Sequence, residues 1–210
     1  MQENEPYVIT ISRQLGSGGA YIGQRLSSRF GISYFDREII TRAAQKLNVP
    51  EDNLTHRDEK VTPAWRSMAA ATVFGNPYIY TPPPKNMPTD KELFQAENDI
   101  IMDIARQVSA VIIGRGGYCI LRSHSRHLSI FLHADMAFRE QRVQEVYHVS
   151  LQEARKMIQS TDSSRASYLH AKTGCDWMDV RQYHICLDTS VLGLELAEEI
   201  IANTVKARFG

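Results

Sequence analysis

The chain lacks what several protein classes need. It has only three cysteines, Cys119, Cys175 and Cys186, an odd number without C-x-x-C spacing, which argues against a disulfide framework and fits a reducing, cytoplasmic setting. No apolar run approaches the roughly 20 residues of a membrane span, and Gln2-Glu-Asn-Glu5 does not resemble a signal peptide. Lys+Arg and Asp+Glu number 24 each, so no net charge points to a nucleic acid polymer or a membrane surface. Internal repeats and the G-x-S-x-G nucleophile elbow are absent. The seven histidines form no metal pattern, because His124 and His127 stand among serine and arginine in an expected loop. Proline is missing after Pro88, while seven of the eight prolines fall between Pro50 and Pro88.

What remains is 210 residues with 43% hydrophobic content, enough for one full core with a smaller inserted lobe. The chain is organised around Tyr7 to Gly23. Val8-Ile-Thr-Ile11 reads as a buried strand of a parallel sheet, and Ile22, Leu26 and Phe30 recur at the four-residue spacing of a helix. Between them Gly16, Ser17, Gly18 and Gly19 let the backbone turn and aim N–H groups at the positive end of the helix dipole, a place suited to a phosphate. The usual loop pattern G-x-x-x-x-G-K-[ST] is not matched. With Gly18 as the second motif glycine, Arg13 stands at the first, Gly19 replaces the lysine and Ala20 the Ser/Thr. Arg13 with Ser12 or Ser17 is the expected substitute for the absent charge and hydroxyl; the alternative is a glycine-rich turn that holds nothing.

Gly31 is a plausible C-cap, followed by the short segment Ile32 to Asp36. Asp36 is expected either to cap the next helix or to bind a ribose or substrate hydroxyl. Residues 48–90, with Pro82-Pro83-Pro84, cannot be mainly sheet core and read as an inserted lobe with its best helix at Ala64 to Phe74. The lobe is either a surface excursion or a segment closing over substrate, and Trp65, Phe74, Tyr78 and Tyr80 suit both. Helix is expected again from Lys91 to Gln107. Val111-Ile-Ile113 then runs into Gly114-Arg115-Gly116-Gly117, which puts one arginine at the open end of a buried strand. Leu128 to Leu132 is the next strand, Asp135 caps a helix, and Ser150-Leu-Gln-Glu153 has the form of a capping box. Arg139, Arg142, Arg155 and Arg165 are thereby spread over two consecutive helices in a lid-like region, 139–170. They either converge on transferring phosphates or form a solvated face with Glu140, Glu145 and Glu153. A fifth strand from Tyr183 and a helix from about Leu192 to Arg208 complete an alternating pattern. The pattern implies an α/β fold with a mostly parallel sheet of about five strands and helices on both faces.

Ile9 to Gly19, Tyr34-Phe-Asp-Arg37, Ile113 to Gly117, Asp162-Ser-Ser-Arg165 with Asp176-Trp177, and Tyr183 to Ser190 together resemble the cytidylate kinase-like family of P-loop proteins. The resemblance spans almost the whole chain in order. It implies a single P-loop NTPase-type domain that transfers the γ-phosphoryl group of ATP, with Mg²⁺, to CMP, dCMP or a similar small acceptor. By that resemblance Gly16 to Gly19 hold the ATP phosphates, Asp36 and Arg115 bind the acceptor, and Arg139, Arg142, Asp162 and Arg165 belong to the lid. The expected site therefore comprises Arg13, Arg139, Arg142 and Arg165 as catalytic groups. Ser12, Arg13, Gly16, Ser17, Gly18, Gly19 and Ala20 surround ATP, and Asp36, Arg37, Arg115 and Asp162 surround the substrate. Mg²⁺ would take Ser17, Asp36 or water. Because Gly19 and Ala20 replace the lysine and threonine of true cytidylate kinases, a catalytically weak or inactive nucleotide-binding regulator is the alternative, as is a kinase for a non-nucleotide small molecule. A homo-oligomer is compatible with all three.

Overall fold

The computed structural model describes residues 5–36, 38–48 and 89–210. The expected 48–90 lobe, apart from its ends, and Arg37 lie outside the described residues. Five strands form one sheet: β1 (Val8–Arg13), β2 (Ser33–Phe35), β3 (Ala110–Ile113), β4 (His127–His133) and β5 (Ile185–Asp188). Their order is β2-β3-β1-β4-β5, and every neighbouring pair is parallel. Among the described residues seven helices cover the two faces: α1 (Gly19–Phe30), α2 (Glu38–Leu47), α3 (Asp90–Gln107), α4 (Gly117–Ile120), α5 (Met136–Tyr147), α6 (Leu151–Thr173) and α7 (Thr189–Phe209).

The two-residue period of a strand sorts the core into layers. Ile9, Ile11, Val111, Ile113, Leu128, Ile130 and Leu132 pack under α1 and α7 against Ile22, Leu26, Ala197, Ile201 and Val205. Val8, Ala110 and Ile112 point the other way, onto Ile39, Ala43 and Ala44 of α2 and Leu93, Ile101 and Ile104 of α3. A smaller aromatic cluster of Tyr118, Phe131, Trp177 and Tyr183 with Leu169 closes the sheet under the end of α6. Each buried large aliphatic side chain contributes about 1.5–3 kcal/mol relative to exposure, so a sheet covered on both faces is the stable use of such continuous apolar strands.

The helix boundaries follow local chemistry. Thr89 and Glu92 form a capping box at α3, and Ser150 and Glu153 form the one expected at α6. Asp135 accepts the Phe138 N–H at 2.7 Å and starts α5. Gly31 ends α1 in the left-handed region (φ 62). Asp36 lies two residues before Glu38, the first residue of α2, and the Glu38 carboxylate accepts its N–H at 3.0 Å. Gly193, at φ 73 and ψ 166, interrupts α7, so the regular part of that helix begins at Leu194.

Candidate active site at the glycine loop

Parallel pairing places the C-terminal ends of all five strands at one edge, where open α/β sheets hold their ligands. At the centre, β1 ends in Arg13 and the chain crosses Gln14 to Gly18 into α1. Gly16 and Gly18 both stand at φ 86, a region costly for any side-chain-bearing residue. Their lack of Cβ serves packing as well. A Cβ at Gly16 would sit 2.8 Å from the Arg139 carbonyl oxygen, and one at Gly18 would sit 2.4 Å from Leu194 Cδ2. Gly18 is the N-cap of α1 and has no side chain to cap it, so the first-turn N–H groups are open to an anion.

Arg13 lies across the position where a lysine is expected. A Cβ built on Gly19 would meet Arg13 Cγ at 2.7 Å and Cβ at 2.8 Å, so a side chain at position 19 and the present Arg13 side chain exclude each other. Ala20 is exposed at the helix start. Tyr34 stands in the same electrostatic neighbourhood. Its phenol is pushed up to about 12, chiefly by burial and further by the Asp36 charge, with Arg13 opposing. Arg13 and Asp36 therefore both act on the space beside β2.

The two serines face inward. Ser17 is fully buried, and its hydroxyl lies 2.9 Å from the Gln14 carbonyl and 3.1 Å from that of Leu132. The Thr189 hydroxyl secures the Ser17 carbonyl from behind at 3.0 Å. Ser12 is buried, 5% exposed, at the end of β1. Neither hydroxyl is presented to solvent. Of the expected Mg²⁺ ligands Ser17, Asp36 and water, Ser17 has its hydroxyl turned inward to backbone carbonyls in this structure.

The helical pair α5 and α6 returns over the loop. Arg139, 4% exposed, donates from Nε to the Leu15 carbonyl at 2.7 Å and pairs through Nη2 with Asp162. Asp162 Oδ1 in turn accepts the Leu15 N–H at 2.9 Å. Arg165 Nη1 donates to the Arg13 carbonyl at 2.9 Å and lies 3.8 Å from Asp162. Arg165, Leu169, Trp177, Ser12, Arg13 and Gly114 line a cleft with no room for a water molecule. The other arginines expected there go elsewhere: Arg142 stacks over Phe138 at 6.0 Å, and Arg155 pairs with Glu140 at 2.6 Å.

After β3, Gly114, Arg115 and Gly116 adopt three successive left-handed conformations (φ 71, 58 and 65). Such a conformation costs an arginine about 1 kcal/mol, and burial chemistry holds it. Arg115 is 3% exposed and its Nη1 lies 3.3 Å from Oε1 of Glu97, itself 1% exposed. The Tyr168 hydroxyl of α6 donates to the other Glu97 oxygen. A buried carboxylate thus ties α3, the Arg115 turn and α6 together. Sequence reasoning missed Glu97 and Tyr168. The available signal was an acid on the apolar stripe Leu93, Glu97, Ile101, Ile104, a place where an ionised group needs a partner.

Among the described residues no group of three or more His, Cys, Asp or Glu is placed to hold a metal ion, and no helix is long and apolar enough to cross a membrane. A roomier surface depression of about 570 Å³ lies between α1 and α7, away from the loop. Its walls are satisfied ion pairs of Arg25 and Arg29 with Glu198.

The fold has solved counterparts. An uncharacterised protein from Eubacterium ventriosum is 20% identical, with a TM-score of 0.71 over 96% of this chain and 99% of its own. A shikimate kinase from Bacteroides thetaiotaomicron is 11% identical, with a TM-score of 0.50 over 95% of this chain and 98% of its own. At these identities the likeness is one of fold, the P-loop kinase type of α/β sheet. A sequence comparison with curated proteins returns no match. The sequence model of the cytidylate kinase-like family matches residues 8–191, nearly the full chain and every element of the site just described, and the chain belongs to that family.

Proposed function

We propose that the protein is a small-molecule phosphotransferase that moves the γ-phosphoryl group of ATP to CMP, dCMP or a similar small acceptor. One observation carries the reading: α5 and α6 deliver Arg139, Asp162 and Arg165 to backbone atoms of Arg13 and Leu15, beside an uncapped helix start. Phosphoryl transfer needs little covalent chemistry from the protein and depends on positioning and on positive charge near the transferring group.

ATP fits the loop on the chain's own terms. The first-turn N–H groups of α1 receive phosphate oxygens, Arg13 supplies the charge that Gly19 cannot, and Arg139 and Arg165 exclude water from above. When bound, ATP supplies the phosphoryl group and Mg²⁺ neutralises charge on it. With the Ser17 hydroxyl turned inward, the ion is assigned to phosphates, water and Asp36. The acceptor is assigned to the ends of β2 and β3, with Asp36 at one and Arg115 at the other, where Arg115 has first to leave its buried pair with Glu97. Residues 139–170 act as the lid of a single domain working in the cytoplasm.

A second reading, a nucleotide-binding regulator with little turnover, draws support from the same contacts. Arg139 and Arg165 are engaged with loop carbonyls and Asp162, and those bonds must yield before the guanidinium groups meet phosphates.

Calorimetric titration with ATP·Mg²⁺ and with CMP, paired with a coupled ADP-release assay over nucleoside monophosphates and other small acceptors, separates the readings. ADP release dependent on one acceptor is expected. Tight ATP binding without turnover replaces the proposal with the regulator, and no ATP binding refutes both. Arg13→Ala should weaken ATP by about tenfold, the loss of one charge-assisted contact; unchanged affinity rejects Arg13 as the lysine substitute.

A further inference from the structure

We propose that Cys119 and Cys175 form a site of reversible thiol oxidation, whose product is a disulfide tying the end of lid helix α6 to the turn that carries Arg115. The two sulfurs are 3.9 Å apart while 56 residues separate them in sequence. Both thiols are reduced and half-buried. A disulfide needs the sulfurs at about 2.05 Å, so a modest approach by each side chain closes the bond.

The surroundings permit that approach. Cys119 is in the short helix α4, directly after Gly114 to Gly117. Cys175 follows Gly174, the left-handed C-cap of α6, around which a Cβ would meet nothing within 4 Å. Besides Cys119, the Cys175 thiol has a long contact to the Thr173 carbonyl, at 3.6 Å, while its N–H is held by the Thr173 hydroxyl at 3.1 Å. The side chain can turn without uncoupling the backbone. Cys186, the third thiol, is packed toward the Val180 carbonyl and is not part of this contact.

A hydroperoxide is the oxidant the chemistry calls for. We assign the first attack to Cys175, which follows the open Gly174 cap, since burial pushes the Cys119 thiol up. The Cys175 thiolate attacks hydrogen peroxide: an S–O bond forms, the O–O bond breaks, and the departing hydroxide takes a proton to become water. Cys119 then loses its proton and attacks the Cys175 sulfur of the sulfenic acid; the S–S bond forms, the S–O bond breaks, and hydroxide leaves as a second water. Two thiols are oxidised by two electrons and one peroxide is reduced. The disulfide restrains α6, the helix bearing Asp162, Arg165 and Tyr168, against the Arg115 turn. The inference rests on geometry and does not depend on the identity of the phosphoryl acceptor.

The test is peptide mass spectrometry of the full-length native chain after stoichiometric hydrogen peroxide, with Cys119→Ser, Cys175→Ser and Cys186→Ser variants alongside. The expected result is a Cys119–Cys175 linked peptide lighter by two hydrogens, reversed by dithiothreitol and retained in C186S. In C119S, dimedone should trap a sulfenic acid on Cys175. Hydrogen exchange of the last turn of α6 should slow severalfold on oxidation. Separate over-oxidation of the two cysteines, linkage through Cys186, or thiols left intact would each overturn the proposal, and wild-type chain alone suffices to reveal any of them.

Discussion

Replacing Asp162 measures how firmly α6 is fastened to the glycine loop. One Asp162 oxygen accepts the Leu15 N–H at 2.9 Å and the other pairs with Arg139. The Arg139 side chain is 5% exposed and that of Asp162 19%, so the pair is mostly shielded from water. Removing one partner of a fully buried ion pair costs about 3–5 kcal/mol, because the other charge stays behind without compensation. Discounting for the exposure of Asp162, we expect about 2–3 kcal/mol for Asp162→Ala. Asp162→Asn keeps an oxygen for the Leu15 N–H and loses the charge, so about half that cost is expected. At about 2–4 °C per kcal/mol for a chain of this size, Tm falls by about 5–10 °C in the alanine variant. Urea unfolding followed by circular dichroism at pH 7, on D162A, D162N, R139A and the double alanine variant, reads these values. The double variant should be less damaged than the sum of the singles by at least about 1 kcal/mol. A D162A loss below about 0.5 kcal/mol, or strict additivity, would show that the contacts carry no energy and would refute the reasoning.

Two further outcomes follow from the same packing. Gly18→Ala places a Cβ 2.4 Å from Leu194 Cδ2 at φ 86, whereas Gly31→Ala meets nothing within 4 Å at φ 62. Thermal unfolding should therefore show about 1–2 kcal/mol lost in G31A, from backbone strain alone, and at least about 1 kcal/mol more in G18A. His127 is 1% exposed, hydrogen-bonded to Thr10 at 2.8 Å, and burial with His184 nearby pushes its imidazole down to about 4. Between the ordinary histidine value of about 6.5 and the folded value, the unfolded chain binds more protons, so stability is full above that window and falls as pH drops through it. The expected loss is about 3 kcal/mol at most, and the urea midpoint of wild type should fall more from pH 7 to pH 5 than that of His127→Gln. Equal falls would reject His127 as the source.

Much of this protein was legible in its residues because the physics involved is local. Val8 to Ile11, running apolar on both faces, announces a covered parallel strand, and the capping box at Ser150 and the cap at Asp135 mark their helices. Gly31, Gly16 and Gly18 announce backbone turns that only glycine adopts cheaply, and their left-handed angles bear this out. Tertiary structure decided the rest. Arg139, Arg142, Arg155 and Arg165 look alike along the sequence; helix packing turns Arg139 and Arg165 onto the loop backbone and leaves Arg142 on Phe138 and Arg155 on Glu140. Ser17 reads as a ligand hydroxyl by its neighbours, yet the Gln14 and Leu132 carbonyls draw it inward. Glu97 meets Arg115 and Tyr168 across chain separations no pattern encodes, and the 3.9 Å approach of Cys119 to Cys175 arises the same way. Local propensity and periodicity depend on neighbours a few residues apart, and a sequence states those directly. Which distant side chains share a buried site depends on how the layers stack, because desolvation forces charges and thiols to find partners only once the elements have closed around them.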